Sequence, residues 1–377
     1  MTEEEWFAAA QATARQPAFV AAVARCAAFD QAPEVLGQLM ALHPRDQMLL
    51  HSLREHRHAD IALSQYFAIG IQQYHMLAQL IEGLRSESAS EIRVLDFACG
   101  FGRLLRLLRC GYPMLDIHAA EVQSDALAFC AKEFGVAPIA SSFDPQAFRP
   151  PQRFDVIWVA SLFSHLPAGL FEDWLRVLVS CLGERGVLCF SARCLPPQVG
   201  DDGAGTADLA YSPASENAEL DSRYYGTTHV NPAWVRRLVE RDFGVGMRVR
   251  HAPRALANEQ DLYFVSRHLP DRLPGKGSWG WLDVRAHTAD GRLDLQGWAA
   301  DLDALQPARV EIRLDGRVFE VTPAIDRPDV CEVFGNANGL THAGWALTVP
   351  SPTTNWIEVG VVAANGDRNL LYAGVAR

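Results

Sequence analysis

The stretch VLDFACGFGRLL, Val94 to Leu105, restricts the fold more than any other part of this chain. An apolar run enters Asp96, a turn of small residues follows, and an amphipathic run opens at Arg103. That order predicts a buried strand, a tight glycine turn and a helix start. Gly100 and Gly102 can adopt backbone angles closed to other residues and let a ligand come close to the main chain. The unpaired N–H groups and positive end of the following helix would then face whatever lies over the turn. Such a pocket, at the carboxyl end of a first strand, has the size and setting of a nucleotide site.

The acidic residues narrow the ligand. A carboxylate in the turn would repel a pyrophosphate, so Asp96 favours a ligand bearing an amine or hydroxyls. Glu121 closes the next apolar run, LDIHAA, where an α/β nucleotide fold places a carboxylate to accept hydrogen bonds from ribose hydroxyls. An ordinary exposed glutamate at a strand end is the alternative.

Around this centre the periodicity divides the chain into four. Residues 1–88 carry apolar residues at helical spacing, interrupted by Pro17, with a second run over Pro33–Leu42 and a third over Asp46–Leu84 that is expected to bend near Gly70. His51, His56 and His58 sit among Arg54, Glu55, Arg57 and Asp60, which reads as a solvated helix face rather than a metal site.

Residues 89–268 alternate short apolar runs with helical ones. Strands are expected at Arg93–Phe97, Leu115–Glu121, Ala137–Ala140, Phe154–Ala160, Gly186–Ser191, Arg248–Ala252 and Leu262–Ser266. Helices are expected at Gly102–Cys110, Ser124–Phe134, Leu170–Leu182 and Pro232–Phe243. This order implies right-handed crossovers and a mostly parallel sheet covered on both faces. A Gly-, Asp-, Ala- and Ser-rich insertion between Cys194 and Tyr225 is expected to be a mobile loop at the sheet's carboxyl edge. A Pro/Gly linker over 269–278 precedes residues 279–377, where apolar and polar residues alternate between Asp290-Gly291, Asp315-Gly316 and Asn365-Gly366 turns. That pattern predicts an antiparallel β-sandwich.

Composition sets outer limits. A formal net charge of -11 argues against a nucleic-acid backbone as main partner. The eight cysteines include no Cys-x-x-Cys pair and several lie in apolar runs, as free thiols in a reducing compartment do. The acidic start MTEEEWFAAA lacks the layout of a signal peptide, and no apolar run reaches the ~20 residues of a membrane span. A soluble, cytoplasmic protein is the expectation, with oligomeric state open.

VLDFACGFGRLLRLL resembles the first motif of class I S-adenosylmethionine-dependent methyltransferases, and IHAAEVQSDALAFC resembles their second. FDVIWVASLFSHLP and CLGERGVLCFSA resemble the fourth- and fifth-strand segments of that family. Tyr66-Phe67-x-x-Gly70, the Asp-Phe-x-Cys-Gly-x-Gly-Arg form and the Ser-x-Phe-Ser-His-Leu form are similar to a bacterial group associated with cell-surface polysaccharide modification. The resemblance covers roughly residues 60–267. Ala98 stands where many members have the first glycine. In the last segment, GWAAD and the Arg327-Pro328-Asp329-Val330 turn resemble a small β domain appended to bacterial glycosyltransferases.

The resemblance implies a Rossmann-like α/β fold and S-adenosyl-L-methionine as cofactor. It places Asp96 and the backbone at Ala98, Gly100 and Gly102 against the methionine and ribose portion, Glu121 on the ribose hydroxyls and Val122 on adenine. Ser142 and Phe143 would lie along the adenine edge, and Ala160 and Ser161 on the methyl-donor side. Tyr66 and Arg103 would meet the methionine carboxylate, a surface salt bridge being the alternative for Arg103.

His165, after the fourth strand where acceptors enter this fold, is the candidate general base, with His229 as the second. Methyl transfer depends mainly on alignment, so a purely structural His165 is the competing reading. Tyr224 and Tyr225 either line an acceptor pocket or pack, and Trp279, Trp281, Trp298, Trp345 and Trp356 read as sandwich core before sugar-stacking faces. The expectation is O-methylation of a saccharide or surface-polysaccharide precursor, a small-molecule or saccharide acceptor with no metal. The alternative is a carbohydrate-binding or assembly protein with a vestigial cofactor pocket.

Overall fold

A computed structural model gives the fold of residues 2–30, 36–37, 39–87, 91–195, 207–214 and 220–376. Two compact units emerge, and they do not follow the chain linearly. One comprises residues Leu80–Leu105 and Tyr112–Leu273; the other comprises Met1–Gln79, Arg106–Gly111 and Pro274–Arg377.

The first unit is built on a twisted sheet. Strands β1 (Arg93–Phe97), β2 (Asp116–Glu121), β3 (Ala137–Ala140), β4 (Phe154–Val159) and β5 (Leu182–Cys194) are parallel in the order β3-β2-β1-β4-β5. The order reverses beside β1, so the carboxyl ends of β1 and its neighbours open a crevice. Further on lie β6 (Leu209–Ser212), β7 (Thr227–Val230), β8 (Arg248–Leu256) and β9 (Gln260–Ser266). Strand β9 runs antiparallel between β5 and β8, while the β6–β7 hairpin joins the far end of β5 through Arg193–His229 and Cys194–Val230.

Helices pack on this sheet by the spacing of their apolar residues. Ala168–Ser180 buries Phe171, Trp174, Leu175, Leu178 and Val179, positions that recur on one face. Phe97, Phe148 and Trp174 meet there with ring centroids 4.8–5.9 Å apart. Ser124–Phe134 ends where Gly135 takes φ +61°, and Pro232–Phe243 begins where the Asn231 side chain accepts from Ala233 N–H.

The predicted insertion loop requires correction. Residues 196–206 and 215–219 lie outside the described residues, but Leu209–Ser212 between them is the strand that pairs with β7. Its backbone bonds compensate for the modest apolar content of this stretch.

The second unit joins helices to two antiparallel sheets. Among the described residues its helices include Glu3–Ala14, Pro17–Cys26, Gln47–His56 and the part of Ala59–Glu87 up to Gln79. The long helix runs without interruption through Gly70. Residues 33–35 and 38 of the second predicted run lie outside the described residues.

Strands β10 (Ser278–His287), β11 (Arg292–Asp301), β12 (Gln306–Pro307) and β15 (Gly344–Pro350) form one sheet. Strands β13 (Arg309–Leu314), β14 (Arg317–Val321), β16 (Trp356–Val362) and β17 (Arg368–Val375) form the other. Leu295, Trp345 and Val349 of one share a core with Ile312, Val359 and Tyr372 of the other. Asp315 (φ +46°) and Gly316 (φ +75°) supply the left-handed pair that a tight hairpin demands.

Strand β17 is an edge, and the long helix covers it. Asp60 accepts from Val375 N–H (3.0 Å), and Ser64, one turn on, accepts from Ala373 N–H (3.0 Å). Asp60 also accepts from Thr13 Oγ1 (2.6 Å), while the Tyr372 hydroxyl beside it donates to Val375 O (2.8 Å). Two helical side chains thereby satisfy the outward amides of a strand that would otherwise invite pairing with another chain. Arg54, Glu55 and Arg57 are exposed as a solvated face requires, and the reading needs correction at His56, His58 and Asp60. His51 is exposed, but His56 hydrogen-bonds Gln65 (2.8 Å) and tilts against Trp281, while His58 accepts from Arg285 (3.0 Å). Charge density in the sequence hides a packed face because Trp281 and Arg285 come from the far end of the chain.

Among the described residues no helix is long and apolar enough to cross a membrane. All eight cysteines are free; Cys26, Cys110, Cys130, Cys181 and Cys189 are buried.

Replacing Asp60 by Ala is expected to destabilise the helix–sandwich unit by roughly 2–4 kcal/mol, because buried donors lose their acceptor. Denaturant unfolding followed by tryptophan fluorescence measures this, and Thr13→Val, which removes one donor only, should cost less. A loss below ~0.5 kcal/mol for Asp60→Ala would show the edge to be satisfied some other way.

Candidate functional site

The glycine turn after β1 is held by one carboxylate. Glu121, at the end of β2, accepts from Gly100 N–H (2.9 Å) with one oxygen. Its other oxygen accepts from Val122 N–H (2.8 Å) and Gln123 N–H (3.1 Å). Ala98 N–H donates to Ala120 O (2.8 Å), so the turn is pinned to β2 by backbone as well. Ala98 itself takes φ +58°, the left-handed conformation that a glycine would adopt without cost.

The two glycines have different jobs. Gly102 (φ +76°) leaves room for helix Ser124–Phe134: a Cβ there would lie 2.5 Å from Phe134 Cε2 and 3.0 Å from Cys130 Sγ. Gly100 (φ +53°) has nothing within 4 Å of that position, so its face of the turn is open. The backbone there can be approached by a ligand.

Asp96 stands at the end of β1, paired in register with Ala119 and Trp158 of the neighbouring strands, and is only 4% exposed. Burial and the nearby Glu121 carboxylate push its pKa up to about 8, against a smaller opposing pull from Arg103. Burial also raises the pKa of Glu121, offset by its three N–H donors. Two acids share a water-poor crevice, so Asp96 holds a proton at neutral pH that a bound cation would release.

The remaining predicted residues group on two sides. On the β2–β3 side, Ser141 N–H donates to the Glu121 backbone carbonyl (3.1 Å), so Ser142 and Phe143 leave β3 from the end of β2. Ser142 closes its own turn with Asp144. On the β4 side, Ala160 and Ser161 follow the strand. Ser161 takes φ +62°, its N–H donates to Ser191 Oγ (2.7 Å), and its hydroxyl accepts from Gln260 (3.1 Å). Ser191 and Gln260 escape sequence reasoning because a strand serine and a strand-start glutamine carry no local signal.

His165 is buried and gripped by the Tyr225–Gly226 pair. Its Nδ1 donates to Gly226 O (2.6 Å), its carbonyl accepts from Gly226 N–H (2.8 Å), and Tyr225 stacks on the imidazole at 4.3 Å and 11°. Since a carbonyl only accepts, Nδ1 carries the proton and Nε2 carries the basic lone pair.

One residue earlier, Tyr224 stacks on Phe143 at 5.2 Å. The two rings are 36% and 39% exposed, an aromatic surface at the crevice rather than packed core. The segment Tyr224–Gly226 therefore bridges the Phe143 side and the His165 side.

His229 lies on β7 opposite Arg193, and burial together with that cation lowers its pKa. Tyr66 falls outside the unit that holds these residues. It belongs to the helix–sandwich unit, where its hydroxyl donates to Asp46 (2.6 Å) and accepts from Arg106 (3.1 Å). A cavity of about 530 Å³ opens at the amino end of β5 near Gly183 and Gly186 and contains none of these residues. Among the described residues no cluster of three or more His, Cys, Asp or Glu could hold a metal ion.

No protein-family model matches the chain, and no curated protein does. Solved structures resemble it over about half its length. A glycopeptide N-methyltransferase, MtfA, complexed with S-adenosyl-L-homocysteine, is 18% identical over 50% of this chain and 86% of its own, with a TM-score of 0.35. SAM-bound CalS10, an amino pentose methyltransferase from Micromonospora echinaspora, is 14% identical over 52% and 91%, with a TM-score of 0.38. DesVI from Streptomyces venezuelae is 16% identical over 52% and 92%, with a TM-score of 0.37. At these values the chemistry has to be read from the geometry of this chain.

The two glycines give a direct test of the turn. Gly102→Ala is expected to cost about 2–3 kcal/mol, from positive φ plus overlap with Phe134, and Gly100→Ala only about 1 kcal/mol, from φ alone. Denaturant midpoints compare them; equal losses would mean that Gly102 does not hold the turn against the helix.

Proposed function

We propose that this chain is an S-adenosylmethionine-dependent methyltransferase that methylates a hydroxyl of a saccharide or related precursor. The observation that carries the reading is the pairing of two buried carboxylates, Asp96 and Glu121, around a turn whose Gly100 face is open. A phosphate would meet like charge there, whereas a cationic ligand with ribose hydroxyls meets acceptors. S-adenosylmethionine, when bound, supplies an electrophilic methyl group on a sulfonium, which leaves as a neutral thioether after transfer.

The residues divide that work. Asp96 attracts the cationic, amine-bearing portion, with Arg103 beside it for a carboxylate. Glu121 spends three acceptor positions on the turn and keeps capacity for a ribose hydroxyl, since a carboxylate offers about four. Val122, Ser142 and Phe143 line the adenine side, and the backbone from Ala98 to Gly102 underlies the ribose and methionine portion. Ala160 and Ser161 flank the transfer path.

His165 Nε2 receives the proton of the acceptor hydroxyl as its oxygen takes the methyl group. Gly226 O fixes the tautomer, and Tyr225 fixes the plane of the ring. The exposed Phe143–Tyr224 stack supplies an apolar face of the kind that sugar rings pack on. His229, with its proton affinity lowered, is the second candidate base.

Calorimetric titration with S-adenosylmethionine tests the first step. Binding is expected to tighten as pH rises through about 8, because ligand binding must expel the proton that Asp96 holds below that pH. Below pH 8 the affinity should fall by up to about tenfold per unit, and Glu121 shifts it in the same direction. Asp96→Asn should weaken binding and flatten the slope. Absence of binding at any pH would leave a carbohydrate-binding or assembly protein as the better reading.

With the acceptor in hand, His165→Ala is expected to slow turnover by about 10²–10⁴-fold while sparing cofactor affinity. A near-normal rate would reduce His165 to a structural clasp for Gly226.

A further inference from the structure

The acidic pair has a basic counterpart on the same face of the parallel sheet. Strand register carries that face across: Asp96 pairs with Trp158, and Trp158 with Cys189. Ser191 and Arg193 lie two and four residues further along β5, so their side chains keep to the face of Asp96. Strand β5 runs on past Phe190, the last residue it pairs with β4. There Arg193 pairs in register with His229 of β7, and His229 with Ala210 of β6. The row continues the face of Asp96 beyond the strand ends, where the crevice opens.

This row is accessible. Thr228 and Val230 are buried, whereas Thr227 and His229, which alternate with them, are half-buried, and Ala210 is exposed. A methyl group is all that β6 presents beside the imidazole. Arg193 is half-buried, and among the described residues it has neither a hydrogen bond nor an ion pair. The acids nearby are committed elsewhere. Asp261 pairs in register with Ala192, which puts it on the opposite face, where it serves His251 (2.6 Å) and Arg254 N–H (2.8 Å). Asp208 pairs with Arg237. The guanidinium is therefore a fixed charge at neutral pH with its donors unspent.

We propose that Arg193 and His229 recognise the methyl acceptor, and that this acceptor is an anionic sugar whose carboxylate or phosphate lies on the Arg193 fork. The proposal rests on the methyltransferase reading. A planar guanidinium suits two oxygens of one such group, and a neutral sugar would leave its charge unanswered. A chain of formal net charge -11 repels anions, so an anionic acceptor needs a local cation to meet it. The crevice is then polar along its length: the acids Asp96 and Glu121 serve the cationic donor, and Arg193 serves the anionic acceptor, so neither ligand suits the other's place. Strand β7 follows directly on Gly226, whose carbonyl holds His165 Nδ1, so one short segment carries both the anion contact and the clasp of the candidate base.

Calorimetry on the full chain tests it, first with S-adenosyl-L-homocysteine and then, on the saturated protein, with glucuronate, glucose 1-phosphate and glucose. At least one of the two anions is expected to bind roughly tenfold or more tighter than glucose. Tighter glucuronate identifies a sugar carboxylate as the source, and tighter glucose 1-phosphate a phosphorylated sugar. Arg193→Met, which keeps bulk and removes the charge, should abolish that preference and leave the affinity for S-adenosyl-L-homocysteine unchanged. Arg193→Lys, which keeps the charge and loses the fork, should fall between.

Failure of S-adenosyl-L-homocysteine to bind would remove the methyltransferase reading and the proposal with it. Binding of that ligand without any preference for an anion would overturn the proposal alone, as would a preference that survives Arg193→Met. Loss of S-adenosyl-L-homocysteine affinity in a folded Arg193→Met would assign the guanidinium to the cofactor and overturn it too. His229→Ala, which should weaken the bound anion severalfold, carries the test if Arg193→Met does not fold; unchanged anion affinity in it and in Arg193→Lys would overturn the proposal.

Discussion

The Glu121 carboxylate is the constraint on which the candidate site depends. It gathers three backbone N–H groups, one from the Gly100 turn and two from the chain leaving β2. Each of those amides would otherwise be unpaired at a strand end, a cost that folding does not leave standing. Because one side chain satisfies both segments, the turn after β1 and the end of β2 cannot move apart. Asp96, held between β2 and β4, is then fixed over the same crevice. Their mutual repulsion in a dry setting raises Asp96 toward neutrality, and the site is thereby prepared for a cation.

A second constraint organises the rest of the chain. Residues at opposite ends of the sequence form one unit because a sandwich edge needs covering and a helix supplies acceptors at the right spacing. Asp60 and Ser64 are four apart, so they share a helix face; Ala373 and Val375 are two apart, so they share a strand edge. The two periods coincide over the length of β17. Arg25 and Glu358 reinforce the same union with a two-pronged ion pair at 2.8–2.9 Å.

Legibility in the sequence follows the range of the interactions. Ser124–Phe134 and Pro232–Phe243 are readable to the residue, since Gly135 and Asn231 mark their ends by local chemistry. Strand β5 extends to Cys194, well beyond the apolar run Gly186–Ser191, because β9 pairs as far as Ala192 and β7 pairs Arg193 and Cys194. The β6–β7 hairpin is hidden for the same reason. His56 and His58 mislead because charges flank them locally while their partners, Trp281 and Arg285, stand far away in the chain.

The sequence by itself determined the strand–turn–helix at Val94–Leu105, the acidic pair at Asp96 and Glu121, and the hairpins of the last hundred residues. Backbone freedom and periodicity act over a few residues and need no partner to be legible. Only the tertiary structure decided which nitrogen of His165 holds its proton, that Tyr225 lies on its ring, and that Tyr66 spends its hydroxyl on Asp46. It alone also decided that Arg193 lacks a paired carboxylate among the described residues. Hydrogen-bond direction, stacking and compensation of charge are properties of what surrounds a residue, and those surroundings are assembled from segments that the chain order keeps apart.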